Sequence, residues 1–211
     1  KISISSYNII YEVLDFIKIG KLGNIYSVQC VCGQNLSQWR LDRDLESVPS
    51  VSRGKGGGVL RELSHELDYL YKIFGSPHSI SGYAAKLCFK ELDVEDTAMF
   101  HLVYNYNNSD VLVSLNLDFV RHDPARTCHI IGSGGTLLWD LLSGSLSFIS
   151  KDGQRSIEYS NPHDLQNTNM WMWEKLLSDD ISLFCTLREG VQHLEIIEDM
   201  EVCEIKQKVK K

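Results

Sequence analysis

Apolar positions recur along the chain with two periods. From 9 to 19 (IIYEVLDFIKI) they fall at helical spacing, and Gly20 and Gly23 close that helix. A helix advances about 100° per residue, so over 58 to 74 Leu60, Leu63, Leu67, Leu70 and Phe74 form one narrow core-facing stripe. The same wheel puts Glu62, His65, Asp68 and Tyr69 on the roughly opposite side, with His65 nearly diametric to the leucines. Alternation and β-branched residues predict strands at 2–7, 25–32, 78–88, 96–106, 110–120, 127–132, 135–140, 145–150 and 154–159. NYNNSD predicts a turn between the strands at 96–106 and 110–120. Residues 33–55 are polar and irregular, 161–169 predict a loop, and 170–204 read as helix, break at Thr186, helix.

The order is strand, helix, strand, helix, then consecutive strands, then helices. Strands joined by short turns build an antiparallel sheet. The predicted class is therefore α+β: an open, mainly antiparallel sheet with helices packed on one face.

Charge narrows the function. The net charge of −7 argues against a general nucleic-acid or anionic-membrane binder. No stretch approaches the roughly 18 apolar residues of a membrane span, and KISISSYNII lacks the order of regions of a signal peptide. Cys30, Cys32, Cys88, Cys128, Cys185 and Cys203 are scattered, with no CxxC pair. They fit reduced thiols in a cytoplasmic protein, and their spacing predicts no zinc site.

Candidate chemistry concentrates in GGGVLRELSHELDYL, residues 56–70. Three glycines disfavour a helix but let a backbone or a ligand approach closely. His65 has Glu62 three residues before it and Asp68 three after, neighbours able to orient it and hold its pKa near neutrality. That arrangement suits general acid–base catalysis, with a plain solvated helix face as the alternative. HELD lacks the second histidine of HExxH, so a metal-dependent hydrolase is a remote alternative. GSGGT at 132–136 leads into a strand and reads as a turn, not a dinucleotide cradle. Arg121, His122 and Arg126 lie at a strand end, where an anion site and a solvated loop both remain open. The sequence thus holds one acid–base site and no cofactor motif, which is an incomplete enzyme.

GGGVLRELSHELDYLYKIFG resembles the motif helix in the C-terminal domain of the Gfo/Idh/MocA oxidoreductases. ISSYNIIYEVLDFIKIGKLGNIYSVQC, IIGSGGTLLWD and LREGVQHLEIIEDM resemble further segments of that domain in the same order. QNLSQWRLDRD is similar to a loop of members found in bacterial sialic-acid-type sugar pathways. The resemblance departs in three places. Members read D-x-x-x-H where this chain has Glu62-x-x-His65, Ile10 replaces an arginine, and NMWMWEKLLSDD is shortened.

The resemblance implies a glyceraldehyde-3-phosphate-dehydrogenase-like domain over 9–205, with 1–8 as the last strand of, or linker from, a Rossmann domain absent from this chain, and 206–211 as a basic tail. It implies NAD or NADP held mainly by that Rossmann partner, a small sugar substrate, and a homodimer or tetramer formed through the sheet. His65 is then the catalytic acid/base, oriented by Glu62 or Asp68. Trp39, Arg40, Arg43 and Tyr69 contact the sugar or its phosphate, and Gly56, Gly57 and Gly58 approach the cofactor. The whole protein would oxidise or reduce a sugar or sugar-nucleotide hydroxyl or ketone, while this part alone is inactive. The alternative is a non-catalytic carbohydrate-binding or dimerisation module.

Overall fold

The computed structural model describes residues 7–39, 48–161, 164–179 and 184–206. Helix α1 (Tyr7–Lys18) precedes β1 (Ile25–Gly33) and a short helical turn, α2 (Leu36–Trp39). Two 3-10 turns, Pro49–Val51 and Arg53–Lys55, lead to α3 (Val59–Glu62) and α4 (His65–Phe74). Seven strands follow: β2 (Ser79–Ala85), β3 (Thr97–Tyr106), β4 (Ser109–Asp118), β5 (Ala125–Gly132), β6 (Gly135–Asp140), β7 (Ser145–Ser150) and β8 (Arg155–Ser160). Helices α5 (Asp164–Leu177) and α6 (Leu187–Lys206) complete the chain. The strand expected at 2–7 lies outside the described residues except for Tyr7, which opens α1. Helix α5 begins inside the predicted 161–169 loop.

All eight strands form one open sheet in the order β2-β3-β4-β1-β5-β6-β7-β8. Six of the seven pairings are antiparallel; β1 runs parallel to β4, because it is inserted between β4 and β5. The β3–β4 turn is a two-residue hairpin with Asn107 and Asn108 both left-handed, at φ 51° and 61°. Asparagine tolerates that region, and such a turn matches the twist of the flanking strands.

The strands bury alternate residues because successive side chains point to opposite faces. Val28, Cys30 and Cys32 of β1, Cys128 and Ile130 of β5, and Leu137 and Trp139 of β6 join the core under the helices. Among the described residues the other face is open. Tyr83 on β2 stands directly opposite Met99 on β3, and both are exposed, as is Leu112 on β4.

The predicted 58–74 helix is two helices. Leu63, at φ −97° and ψ 17°, leaves the helical path between them. The Ser64 hydroxyl donates to the Arg61 carbonyl at 2.8 Å, and the next turn tightens to 3-10 bonds, Glu66 N–H to Leu63 O and Leu67 N–H to Ser64 O. The leucine stripe is buried as expected. The opposite side is not free, however. Asp68 and Tyr69 are also buried, because α4 is covered by the sheet on one flank and by α6 on another.

Candidate functional site

Glu66 is the centre of the site. Its side chain is fully buried, which costs several kcal/mol for an isolated carboxylate. Three donors compensate. Arg126 Nε reaches Oε1 at 2.6 Å, His65 Nε2 lies 3.0 Å from the same oxygen, and the Tyr69 hydroxyl donates to Oε2 at 2.7 Å. Burial works to raise the Glu66 pKa, but the Arg126 charge and the bonds from His65 and Tyr69 outweigh it and hold it down to about 2. Glu66 is thus a fixed anion.

Sheet register delivers the arginine. Arg126 on β5 stands directly opposite Cys32 on β1, so both side chains meet the first turn of α4. Cys32 Sγ lies 3.7 Å from His65 Nε2. Burial, then the nearby Glu66 charge, pushes the Cys32 thiol well up, so it stays protonated. Tyr69 is braced by Trp139, with ring centroids 4.9 Å apart.

His65 sits at the rim of this buried network, its side chain 12% exposed. Its Nε2 is taken up by Glu66. A histidine held through one ring nitrogen presents the other in a fixed direction, the requirement for directed proton transfer. Orientation here comes from Glu66, not from Glu62 or Asp68 as the sequence suggested. Glu62, half-buried, ends α3 on the far side of the break. Asp68 points toward α6, where its Oδ1 lies 3.9 Å from His193 Nδ1. Burial raises the Asp68 carboxyl to about 6 and lowers the His193 pKa. Tyr69 is a prop for Glu66, not a surface residue able to touch a sugar. The backbone of Trp39 ends α2, and Arg40 and Arg43 lie outside the described residues.

The glycines have reasons inside the fold. A Cβ on Gly57 would stand 2.5 Å from Ser50 O, and one on Gly58 2.3 Å from Glu95 Oε1. Glu95 needs that room because it accepts the Leu60 N–H at 3.2 Å. GSGGT is the β5–β6 hairpin, with Gly132 paired to Gly135. Among the described residues no glycine-rich strand-to-helix turn cradles a dinucleotide, as no Rossmann sheet is present.

Ligand atoms of Cys32, His65 and Glu66 lie close enough to share a metal. The Arg126 guanidinium already occupies Glu66 Oε1 and would repel a cation there. The surroundings favour a proton-handling site. Sequence reasoning missed Arg126 as a member because it lies 60 positions from Glu66 and only β-pairing brings it near.

A family model for the GFO/IDH/MocA C-terminal domain matches residues 10–138. The chain belongs to that family. The curated proteins give no match. Solved structures share the fold at low identity. An NAD binding oxidoreductase from Klebsiella pneumoniae superposes with a TM-score of 0.77 and 13% identity, over 100% of this chain and 66% of that one. The WlbA dehydrogenase from Bordetella pertussis, in complex with NADH and UDP-GlcNAcA, gives 0.67 and 18% over 96% and 61%. The UDP-N-acetylglucosamine 3-dehydrogenase GnnA from Acidithiobacillus ferrooxidans gives 0.67 and 14% over 95% and 59%. This chain therefore spans about three fifths of the length of such relatives. Among the described residues no helix is long and apolar enough to cross a membrane.

Proposed function

We propose that this chain is the substrate-binding and oligomerisation part of an NAD(P)-dependent oxidoreductase acting on a hydroxyl or ketone of a sugar or sugar nucleotide, and that it works in the cytoplasm. The observation that carries the reading is His65, held through Nε2 by a buried Glu66 that is ionised near neutral pH. Family membership and the sugar-nucleotide dehydrogenases among the structural neighbours support this substrate class.

A nicotinamide held by a Rossmann partner supplies the hydride acceptor or donor. The acid–base work falls to this chain. His65 accepts the hydroxyl proton on its nitrogen not engaged by Glu66, or returns it in reduction. Glu66 is a positioning residue: it fixes the ring and stabilises the imidazolium formed when the proton arrives. Arg126 and Tyr69 keep Glu66 charged and in place. Cys32 closes the inner side of the ring and excludes water. Trp39, Arg40 and Arg43 are assigned the contacts to the sugar or its phosphate, and the open sheet face pairs with a second copy.

In the protein joined to its Rossmann unit, nucleotide-sugar oxidation followed by NAD(P)H absorbance tests this. His65→Ala is expected to lower kcat by roughly a hundredfold or more. Unchanged turnover would contradict the assignment. One observation favours the non-catalytic alternative. Ile10, which replaces an arginine of other members, is buried in the core and cannot reach a substrate. A protein that carries its Rossmann unit, dimerises and turns over no sugar would establish that alternative.

A further inference from the structure

A second cluster lies on the other flank of α4, outside the acid–base site. Ligand atoms of Asp68, Cys185 and His193 all lie within 4.8 Å of one another. Asp68 Oδ1 is 3.9 Å from His193 Nδ1, and Cys185 Sγ is 4.0 Å from the same nitrogen. We propose that Asp68, Cys185 and His193 form a binding site for a divalent cation of the zinc class, with its fourth position open to the neighbouring cavity.

The chemistry of the set fits. Zinc takes carboxylate oxygen, imidazole nitrogen and thiolate sulfur at about 2.0–2.3 Å, which in a tetrahedron sets ligand atoms roughly 3.3–3.8 Å apart. The Asp68–His193 and Cys185–His193 separations, 3.9 and 4.0 Å, need to close by roughly half an ångström. Asp68 Oδ1 is shut off from solvent and has no hydrogen-bond partner, although a buried carboxylate oxygen normally has one. His193 is itself more than nine-tenths buried, with Nδ1 directed at the other two ligands.

The ligands are also held in place. The His193 ring packs edge-on against Tyr71, centroids 5.0 Å apart at 83°. Cys185 immediately precedes a capping box that starts α6. There the Thr186 hydroxyl accepts the Glu189 N–H at 3.2 Å, and Glu189 accepts the Thr186 N–H at 2.7 Å. Lys72 is the nearby cation. Its Nζ donates to Glu189 at 2.7 Å and to the Phe184 carbonyl at 3.3 Å, tying the segment bearing Cys185 onto α4. Lys72 is paired with Glu189, so the Asp68 carboxylate is the charge that a divalent cation would neutralise, and binding would release the Cys185 thiol proton.

Asp68 and His193 also line a cavity of about 410 Å³ between α4 and α6, with Gly56, Arg61 and Ser64 across it. That cavity is the open side of the site and can admit a water or an oxygen ligand to the metal. Arg61 is already committed to Glu201 by two bonds, at 2.9 and 3.1 Å, so it does not oppose the cation directly. Sequence spacing concealed the site because Asp68 lies more than a hundred residues before Cys185 and His193.

The test is titration of the chelator-stripped full protein with Co²⁺, a spectroscopic stand-in for zinc, followed by displacement with Zn²⁺. One equivalent per chain is expected, with a thiolate-to-cobalt band that zinc removes. Cys185→Ser should abolish the band, and because Cys185 is only half-buried this variant should keep its fold. His193→Gln should weaken binding roughly a hundredfold, while Cys32→Ser should bind as the parent does. Absence of saturable binding, or a band that survives Cys185→Ser, would overturn the proposal.

Discussion

At the scale of single residues, Glu66 decides the character of the site. It is charged, fully buried and bonded to three donors, and each of those bonds fixes a neighbour. Removing the guanidinium leaves an uncompensated buried charge. Arg126→Met is therefore expected to destabilise the protein by about 3–5 kcal/mol, read by urea unfolding. The pH dependence follows the lowered Glu66 pKa. Its folded value of about 2 lies below the ordinary 4.5, so its contribution is complete above pH 4.5 and is lost as pH falls from there toward 2. Glu66→Gln should flatten that part of the stability curve; an unchanged acid limb would contradict the role. His65 was legible in the sequence, from its position on the helix and its acidic neighbours. Its partner was not. Adjacent residues on a helix do not normally face each other, so i, i+1 spacing gave no reason to choose Glu66. Only the start of a new helix at His65 lets the two side chains meet.

At the scale of elements, the entrance to the motif helices is constrained by its packing. Gly58 has φ +115° and abuts the Glu95 carboxylate. Gly58→Ala should cost at least about 1 kcal/mol in thermal stability, and a neutral substitution would show that the close approach is not required. The strands were readable because their alternation is driven by one buried face. The β3–β4 hairpin was readable because its two asparagines suit left-handed positions. The break at Leu63–Ser64 was hidden. The leucine stripe runs unbroken through it, and the competing Ser64 bond to Arg61 is a local backbone event that periodicity does not report. The position of β1 between β4 and β5 was hidden for a related reason. Parallel pairing across a long connection leaves no turn signal.

At the scale of the whole molecule, one face of the sheet carries the helices and the site, and among the described residues the other is bare. Tyr83, Met99 and Leu112 stand exposed on that bare face, which would join two copies in the proposed assembly. Met99→Lys combined with Leu112→Lys should yield monomers in sedimentation, while retained dimers would move the interface elsewhere. The layered architecture was predictable from element order, since a single-faced sheet has few other solutions. The helix-flank cavity and the partners of Asp68 were not, because they depend on where α6 returns across the domain.

The central claim is that Glu66 works through His65, and a double-mutant cycle on kcat tests it most directly. The protein joined to its Rossmann unit would be assayed as parent, His65→Ala, Glu66→Gln and the double variant, each checked for folding. Glu66→Gln should lower kcat in the parent and cause no further fall once His65 is alanine. Equal losses in both backgrounds would mean that Glu66 acts independently of His65, and the proposed site would fail.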